Sequence, residues 1–192
     1  TRAYVMDEDK GEWTNQGIVI EDGFWPMQAP QRMADGNWIM AGLQVIDGIG
    51  KPNNPAAVAI SHGDDLLKWD LVSIPKQPGL NLWGESTVLV DGAEVVIVSR
   101  WQRPQALIAT SNDYGRTWAT MGQSNLPMTA SKPYAGILST GQKYLIGNTT
   151  LDNQNRRWPL TIAVTEPQGK SAAKTSAVPT SSGTSPEIVE VN

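Results

Sequence analysis

Apolar residues occur along the chain in short runs that alternate with turn signals. Runs rich in β-branched residues, such as 88–90 and 95–98, are separated by Asp-Gly or Thr-Gly pairs. Glycine adopts positive φ without steric cost, so such pairs between apolar runs are typical of tight hairpins. Helical periodicity is absent nearly everywhere, because the apolar runs are too short and too β-branched. The pattern predicts an all-β protein of short antiparallel strands.

This hairpin pattern repeats along the chain. A turn glycine followed by an apolar strand stands at Gly36, Gly92 and Gly141, which are 56 and then 49 residues apart. Each unit reads as four short strands in about 50 residues, which is the size of a propeller blade. The predicted blade segments are 2–20, 28–76, 83–127 and 133–166, and the first and last are incomplete. We therefore expect three to four antiparallel blades of an incomplete β-propeller within residues 1–167.

A second recurring element is a turn that contains an aspartate and a glycine and ends in a tryptophan. The clearest copy is Ser111-Asn112-Asp113-Tyr114-Gly115-Arg116-Thr117-Trp118, and weaker copies stand at 61–69 and 9–13. The aspartate can accept backbone N–H bonds inside the turn, and the tryptophan can pack back onto the sheet. Structural roles are therefore predicted for Ser111, Asp113, Gly115, Thr117 and Trp118.

The last part of the chain, residues 168–192, differs in composition from the rest. It is rich in Ser, Thr, Ala and Pro up to Pro186. Such a segment buries too little apolar surface to offset its chain entropy, so we expect a disordered, low-complexity tail. Ile188, Val189 and Val191 leave open a short closing strand at its end.

Charge and composition exclude several classes of function. The 192 residues include no cysteine and one histidine, His62, and carry a net charge of −4. Without cysteine there is no disulfide framework or thiolate site, and a single histidine does not build a multi-histidine metal site. An acidic chain lacks the basic surface that nucleic acids require. No apolar run approaches the roughly 20 residues of a membrane helix. We expect no metal, no cofactor, no nucleic-acid partner and no membrane span.

The aromatic residues are unusual, because eight of the thirteen are tryptophan. Tryptophan side chains stack on sugar rings, and they also fill the core between sheets. Both roles stay open for each tryptophan at this point.

Two stretches resemble one family. The segment 111–118 is similar to the Asp-box of sialidases and other BNR-repeat propellers. Between 82 and 162, Glu85 is followed fifteen residues later by Arg100, then by the Asp-box, and then by Asn148 and Arg157-Trp158-Pro159-Leu160. This order resembles the part of sialidases that carries a catalytic glutamate and two substrate-binding arginines. The resemblance implies a six-bladed propeller and an exo-acting hydrolase that removes terminal sialic acids, from a secreted or periplasmic parent protein.

The resemblance also implies roles for single residues. Glu85 would be the base that activates a tyrosine nucleophile, an arrangement that sialidases use in place of a carboxylate nucleophile. Arg100 and Arg157 would clamp the substrate carboxylate, which guanidinium groups bind in bidentate fashion. Arg156 competes with Arg157 for this role, and only the Arg-x-x-Leu spacing favours Arg157. The candidates for sugar contact are Trp83, Trp101, Tyr134 and Trp158, although Tyr134 also fits a packing role between blades.

The chain departs from the family pattern at the nucleophile. Its last tyrosine is Tyr144, which precedes Arg157, whereas the family's nucleophile follows the last arginine. The family's acid and its first arginine would lie upstream of Thr1. The chain is therefore interpreted as a piece of a longer protein that carries half of a site.

Other functions remain open on the same fold, because a fold does not determine a function. One is a propeller polysaccharide lyase that acts on uronate-containing glycans, and another is a non-catalytic carbohydrate-binding propeller. In every case the expected partner is a sialic-acid-containing or other acidic glycan. For the charged residues the structural alternatives are a rim carboxylate at Glu85, an ion pair between blades at Arg100 and a solvated loop charge at Arg157.

Overall fold

A computed structural model describes residues 1–46, 48, 51, 54–149, 157–166 and 188–190. This part of the chain contains strands and no helix, which confirms the all-β prediction. The strands are β1 (Arg2–Asp7), β2 (Glu12–Ile18), β3 (Phe24–Pro26), β4 (Gln31–Arg32), β5 (Trp38–Gln44), β6 (Ala56–His62), β7 (Asp65–Ser73), β8 (Leu82–Asp91), β9 (Glu94–Trp101), β10 (Gln105–Ser111), β11 (Gly122–Pro127), β12 (Tyr134–Ile137), β13 (Lys143–Asn148), β14 (Leu160–Val164) and β15 (Ile188–Glu190). With no helix described, none could span a membrane in these residues.

The strands form antiparallel sheets that follow one another along the chain. Sheet I contains β1 and β2, and sheet II has the order β3-β5-β6-β7 with β4 also paired to β5. Sheet III has the order β11-β10-β9-β8, and sheet IV has the order β12-β13-β14-β15. The hairpins predicted at Gly36, Gly92 and Gly141 join β4 to β5, β8 to β9 and β12 to β13. Each sheet from II to IV is thus a meander built from local connections.

The first strands of sheets III and IV run in the same direction. The Ala135 amide in β12 donates to Thr87 Oγ1 in β8 at 2.8 Å. Further along both sheets, Lys143 Nζ lies 2.8 Å from Asp91 Oδ2. The hairpins of the two sheets therefore lie at one end of the molecule, called here the turn end. The opposite end, where β8, β12 and β14 begin and β9 and β13 finish, is called the open end.

The core lies on both faces of sheet III. Along β8, Val88 and Val90 belong to a buried cluster shared with sheet II, whereas Leu89 belongs to a second cluster shared with sheet IV. This alternation follows from the two-residue period of a strand, whose neighbouring side chains point to opposite faces. Each fully buried aliphatic side chain stabilises the fold by about 1.5–3 kcal/mol. Sheet III is therefore the central layer.

A buried glutamine links three sheets near their first strands. Gln28 Nε2 donates to the Val88 carbonyl at 3.1 Å and to the Ala135 carbonyl at 2.8 Å, and its Oε1 accepts the Val88 amide at 2.7 Å. Its side chain uses both donors and its acceptor while almost no surface reaches solvent. Gln28 therefore ties the segment between β3 and β4 to β8 and β12.

The prediction for the tail falls largely outside the described residues. Within 168–192 the structure describes only Ile188–Glu190, which form β15. This strand pairs with β14 through Ile162↔Val189 and its neighbours.

Candidate functional site

Glu85 and Arg100 come together at the open end of sheet III. Arg100 Nη1 donates to Glu85 Oε2 at 2.5 Å, and the two side chains are 18% and 27% exposed. They belong to adjacent strands, β8 and β9, of the hairpin that turns at Gly92. A charge-assisted hydrogen bond in a partly buried setting is stronger and better ordered than a surface ion pair. The structure therefore holds a carboxylate and a guanidinium side by side, within reach of solvent.

A bulge in the β8–β9 ladder positions this pair. Ser86 pairs with Ser99 and Leu82 pairs with Trp101, so that residues 83–85 lie opposite the single residue Arg100. The Ser86 hydroxyl lies 2.8 Å from the Gly84 carbonyl and 2.7 Å from the Ser99 hydroxyl, and both serines are fully buried. Bulges bend a strand and re-aim its side chains. The buried hydroxyls thus fix the local backbone that carries Glu85.

The neighbouring sheet requires glycine at the centre of the bulge. Gly84 has a φ of 70°, a region that side chains disfavour, and a Cβ there would lie 2.5 Å from Leu43 Cβ in β5. The backbone of β8 therefore approaches sheet II more closely than any other residue allows. The position of Glu85 therefore depends on this contact between sheets as well as on the pairing of its own strand.

Arg157 lies at the same end of the molecule but is not seen in contact with this pair. It stands in the loop before β14, exposed to solvent, and Trp158 beside it is 75% exposed. Asn148, buried at the end of β13, donates from Nδ2 to the Pro159 carbonyl at 3.0 Å and anchors the loop. Within the described residues no ion pair involves Arg157. The accessible face of Trp158 remains available to a ligand.

The other aromatic candidates differ in exposure. Trp101 is only 8% exposed and packs in the core cluster of Leu82 and Leu107, which favours the packing role that its sequence context also allows. Tyr134 is 38% exposed at the start of β12. Trp83 lies in β8, and its side chain is outside what the structure describes.

The turn at 111–118, called here the Asp113 turn, is closed by its aspartate. Asp113 Oδ1 accepts the amides of Arg116 at 3.1 Å and Thr117 at 2.8 Å, and Oδ2 accepts the Thr117 hydroxyl at 2.6 Å. The hydrogen bonds from Thr117, followed by that from Ser111, lower the pKa of Asp113 to about 2. These bonds favour the ionised carboxylate, because each one donates to it.

The Asp113 turn lies far from Glu85. Its Tyr114 amide donates to the Ala93 carbonyl at 3.0 Å, which places the turn beside the β8–β9 hairpin at the turn end. Glu85 and Asp91 are six residues apart along β8. At about 3.4 Å per residue this separation is roughly 20 Å. The geometry therefore supports a structural role for the Asp113 turn.

Sequence reasoning missed the residues that support the pair. Ser86, Ser99 and Gly84 shape the bulge, and Gln28 holds β8 against β12. A glycine inside a strand pattern, as at Gly84, was the available signal, because it often marks a bulge or a close backbone approach. Gln28 stands in a segment whose sequence carries no such signal.

Several solved structures share the fold of this chain. A Dyadobacter fermentans protein of unknown function matches all of the chain at a TM-score of 0.67 and 14% identity, and the match covers 52% of that protein. The Hadza microbial sialidase Hz136 matches 85% of the chain at a TM-score of 0.60 and 19% identity, over 34% of its own length. A Trypanosoma rangeli sialidase, solved as a covalent intermediate with 2,3-difluorosialic acid, matches 86% of the chain at a TM-score of 0.52 and 16% identity, over 29% of its length. The fold is a sialidase-type propeller, and the chain spans between 29% and 52% of the length of these proteins.

The family follows from the sequence profile. The profile described as a BNR repeat-like domain matches residues 1–182, and the chain belongs to this family. No curated protein sequence matches it significantly.

Proposed function

We propose that the chain is part of a sialidase-like exo-glycoside hydrolase and that Glu85 and Arg100 belong to its sialic-acid site. The observation that carries the proposal is their hydrogen-bonded pairing at the open end of sheet III. Glu85 and Arg100 match the order of residues in a family motif, but this order alone does not require their side chains to lie on the same surface. Their contact agrees with one shared site.

The chemistry explains why these residue types are useful together. Sialic acid bears a carboxylate on its anomeric carbon, and a guanidinium binds such a group with matched geometry as well as charge. A carboxylate nucleophile would be repelled by that substrate, so the family uses a tyrosine whose proton passes to a glutamate. In this proposal Arg100 orients the substrate carboxylate and Glu85 accepts the tyrosine proton.

Arg157 and Trp158 extend the proposed site. Both are exposed at the open end, where a ligand that reaches Arg100 would also be accessible to them. A second guanidinium would hold the substrate carboxylate, and the indole of Trp158 would pack against the apolar face of the sugar. Tyr134 at the start of β12 is a further candidate for sugar contact, because β12 and β8 begin at the same end.

Binding without cleavage is the behaviour expected of these 192 residues alone. Cleavage by the tyrosine route needs a tyrosine beside Glu85, and the family places it after the last arginine. In this sequence the last tyrosine is Tyr144, so that position has no counterpart. The same residues would then act as a binding site for an acidic sugar.

Ligand-observed NMR with the purified chain tests this function. We expect saturation transfer from the protein to N-acetylneuraminic acid and a much weaker signal from its methyl ester, which lacks the carboxylate charge. Arg100→Lys should abolish the difference between acid and ester, because lysine does not form the bidentate pair. Arg103→Lys, an exposed loop arginine, is the matched control and should retain it.

The outcomes separate the possible functions. Equal signals from the acid and the ester would rule out a carboxylate clamp. A signal from D-glucuronic acid but none from N-acetylneuraminic acid would replace sialic acid with a uronate as the ligand. Release of a fluorogenic sialoside by a longer form of the protein that includes a downstream tyrosine, lost in Glu85→Gln, would support hydrolysis itself.

A further inference from the structure

A cleft of about 460 Å³ opens at the turn end, on the side of the molecule away from Glu85 and Arg100. It lies between the outer strands of sheet II and the Asp113 turn of sheet III. Ile60 and Val72 form its floor, and its polar lining includes Asn37, His62, Asp70 and Arg116. This volume falls in the range of about 300–1,000 Å³ that is typical of small-molecule sites.

The apolar residues of the cleft lining belong to the core or pack against it. Ile60 is 3% exposed and belongs to the core cluster shared by sheets II and III, against which Val72 also packs. Beside Ile60, the buried Ser61 hydroxyl accepts the Trp38 amide at 2.7 Å and donates to the Gly63 carbonyl at 2.7 Å. An apolar floor of this kind can pack against the C–H face of a ring.

Two side chains on one wall present hydrogen-bond acceptors. His62 Nε2 lies 3.0 Å from Asp70 Oδ1, and both side chains are more than half exposed. With its hydrogen on Nε2, the imidazole donates to Asp70 and leaves Nδ1 as an acceptor, and the Asp70 carboxylate has a second oxygen that also accepts. This pair therefore offers acceptors to a ligand in the cleft.

The lining of the cleft also includes a donor, Arg116, that hydrogen bonds already hold in place. Arg116 donates from Nη2 to Asp35 Oδ2 at 2.9 Å and from Nη1 to the Asp113 carbonyl at 3.2 Å. Its guanidinium also lies 5.9 Å from the centre of the Tyr114 ring. A guanidinium has five N–H donors, so these bonds do not exhaust it. Groups that are ordered before binding lose less entropy when the ligand arrives.

The hairpin at Gly36 completes the fixed frame. Asn37 accepts the Gly63 amide on Oδ1 at 2.8 Å and donates from Nδ2 to Asp35 Oδ2 at 2.8 Å. These bonds join the β4–β5 turn to the β6–β7 turn at the mouth of the cleft. The walls are therefore held by bonds between three turns.

We propose that this cleft binds a neutral sugar residue of a glycan, at a site separate from Glu85 and Arg100. A sugar hydroxyl both donates and accepts, which matches acceptors on His62 and Asp70 facing a donor on Arg116. The ring's C–H face matches the floor of Ile60 and Val72. An anionic ligand is disfavoured, because Asp35 already neutralises Arg116 and Asp70 adds a carboxylate.

His62 makes the proposal directly testable, since it is the single histidine of the chain. Its imidazole gives one set of NMR signals that needs no sequence-specific assignment. We expect the His62 Hε1 signal to shift in a saturable manner when methyl pyranosides of galactose, glucose, mannose and xylose are titrated, with at least one dissociation constant in the millimolar range. Ethylene glycol at the same concentrations should produce no saturable shift.

Variants place the binding in the cleft. Asp70→Asn keeps the shape but removes the charged acceptor, and should weaken binding on the order of tenfold. The matched control is Asp65→Asn, on the same strand, whose carboxylate lies 3.3 Å from Lys68 Nζ and does not line the cleft. Arg100→Lys should leave the pyranoside titration unchanged, so that failure of the sialic-acid site and failure of this cleft are read separately.

Three results would overturn the proposal. The first is the absence of a saturable His62 shift with every pyranoside. The second is equal binding by Asp70→Asn and the unchanged chain. The third is a saturable shift with sodium acetate alone, which would identify an anion site.

Discussion

At the scale of single residues, the candidate site depends on groups that are small or hidden. Glu85 and Arg100 are the visible pair, but Gly84 permits the close approach of Leu43 and the hydroxyls of Ser86 and Ser99 hold the bulge. A substitution at Gly84 therefore acts on the site through the backbone rather than through a contact with ligand.

Replacement of Gly84 by alanine should destabilise the fold strongly. The new Cβ would clash with Leu43 and would also adopt an unfavourable positive φ, and together these effects should lower the free energy of unfolding by about 2–5 kcal/mol. Gly92→Ala is the control, because Gly92 also has positive φ but has open space around it. It should cost only about 1–2 kcal/mol in urea denaturation. Similar losses for the two variants would contradict the role assigned to the Leu43 contact.

Asp113 should make the stability of the protein depend on acid pH. Its pKa is lowered from 3.8 to about 2 in the folded state, so folding is stabilised by its ionised form. The contribution is complete above about pH 5 and is lost progressively as the pH falls towards about 2. Asp113→Asn should lower the free energy of unfolding at pH 7 and reduce its fall between pH 5 and about 2.5.

Urea denaturation across this pH range measures the effect. The exposed Asp22, replaced by asparagine, serves as the control and should leave the profile almost unchanged. Asp35 contributes in the same direction. Partial burial raises its pKa, but the hydrogen bonds from Asn37 and Arg116 outweigh this and lower it overall. An unchanged profile in Asp113→Asn would show that the turn is not the acid-sensitive element.

At the scale of secondary-structure elements, turns and loops connect the sheets to one another. The Asp113 turn packs Gly115 onto Ile39 of sheet II, and its Arg116 pairs with Asp35 in the β4–β5 turn. The segment between β3 and β4 carries Gln28, which bonds to β8 and β12. Contacts of this kind fix how far the strands of one sheet are shifted along their axes relative to those of the next. They therefore also fix the positions of Glu85 and Tyr134 at the open end.

Removal of the Gln28 side chain should weaken this connection. Gln28→Ala leaves the Val88 amide and the Ala135 carbonyl buried without this partner, whereas the Val88 carbonyl still accepts from Gln31 Nε2 at 3.0 Å. The change should lower the free energy of unfolding by about 2–4 kcal/mol. Gln16→Ala, at an exposed position in β2, should change it by less than about 0.5 kcal/mol. Urea denaturation compares the two. A loss below 1 kcal/mol or so for Gln28→Ala would mean that water replaces the glutamine.

At the scale of the whole molecule, sheet III is the layer on which the others depend. Its two faces contribute to two separate core clusters, whereas the large apolar residues of sheet I, including Tyr4 and Trp13, are exposed. Stability is therefore distributed unevenly over the described residues.

Amide hydrogen exchange should reveal this gradient. The amides of β8 and β9 should exchange slowest, close to the rate set by global unfolding, because both faces of their sheet are covered. Those in the β1–β2 ladder should exchange faster by orders of magnitude, since local opening exposes little additional apolar surface. Equal protection of the amides in sheets I and III would contradict this prediction, because it would mean that the two sheets are equally stable despite their different burial.

Much of the fold was predictable because its contacts are local in sequence. Hairpins at Gly36, Gly92 and Gly141 need only a turn and two adjacent apolar runs, and the bonds of Asp113 lie within eight residues. The burial of the Trp101 side chain was not predictable, because a strand tryptophan at the open end could face either the core or a ligand. In the structure Trp101 is 8% exposed and belongs to the core cluster that sheets II and III share.

The amino-acid sequence by itself determined the all-β repeat, the hairpin turns and the family, because alternation, turn residues and motif spacing are properties of neighbouring residues. Only the tertiary structure decided which side chains meet. The Glu85–Arg100 pair depends on a bulge that Leu43 shapes from another sheet, and Gln28 reaches Ala135 across 107 residues. The cleft is likewise lined by residues from two sheets: His62 and Asp70 come from strands of sheet II, and Arg116 comes from the Asp113 turn of sheet III. Such contacts arise from the packing of whole sheets, which no local pattern encodes.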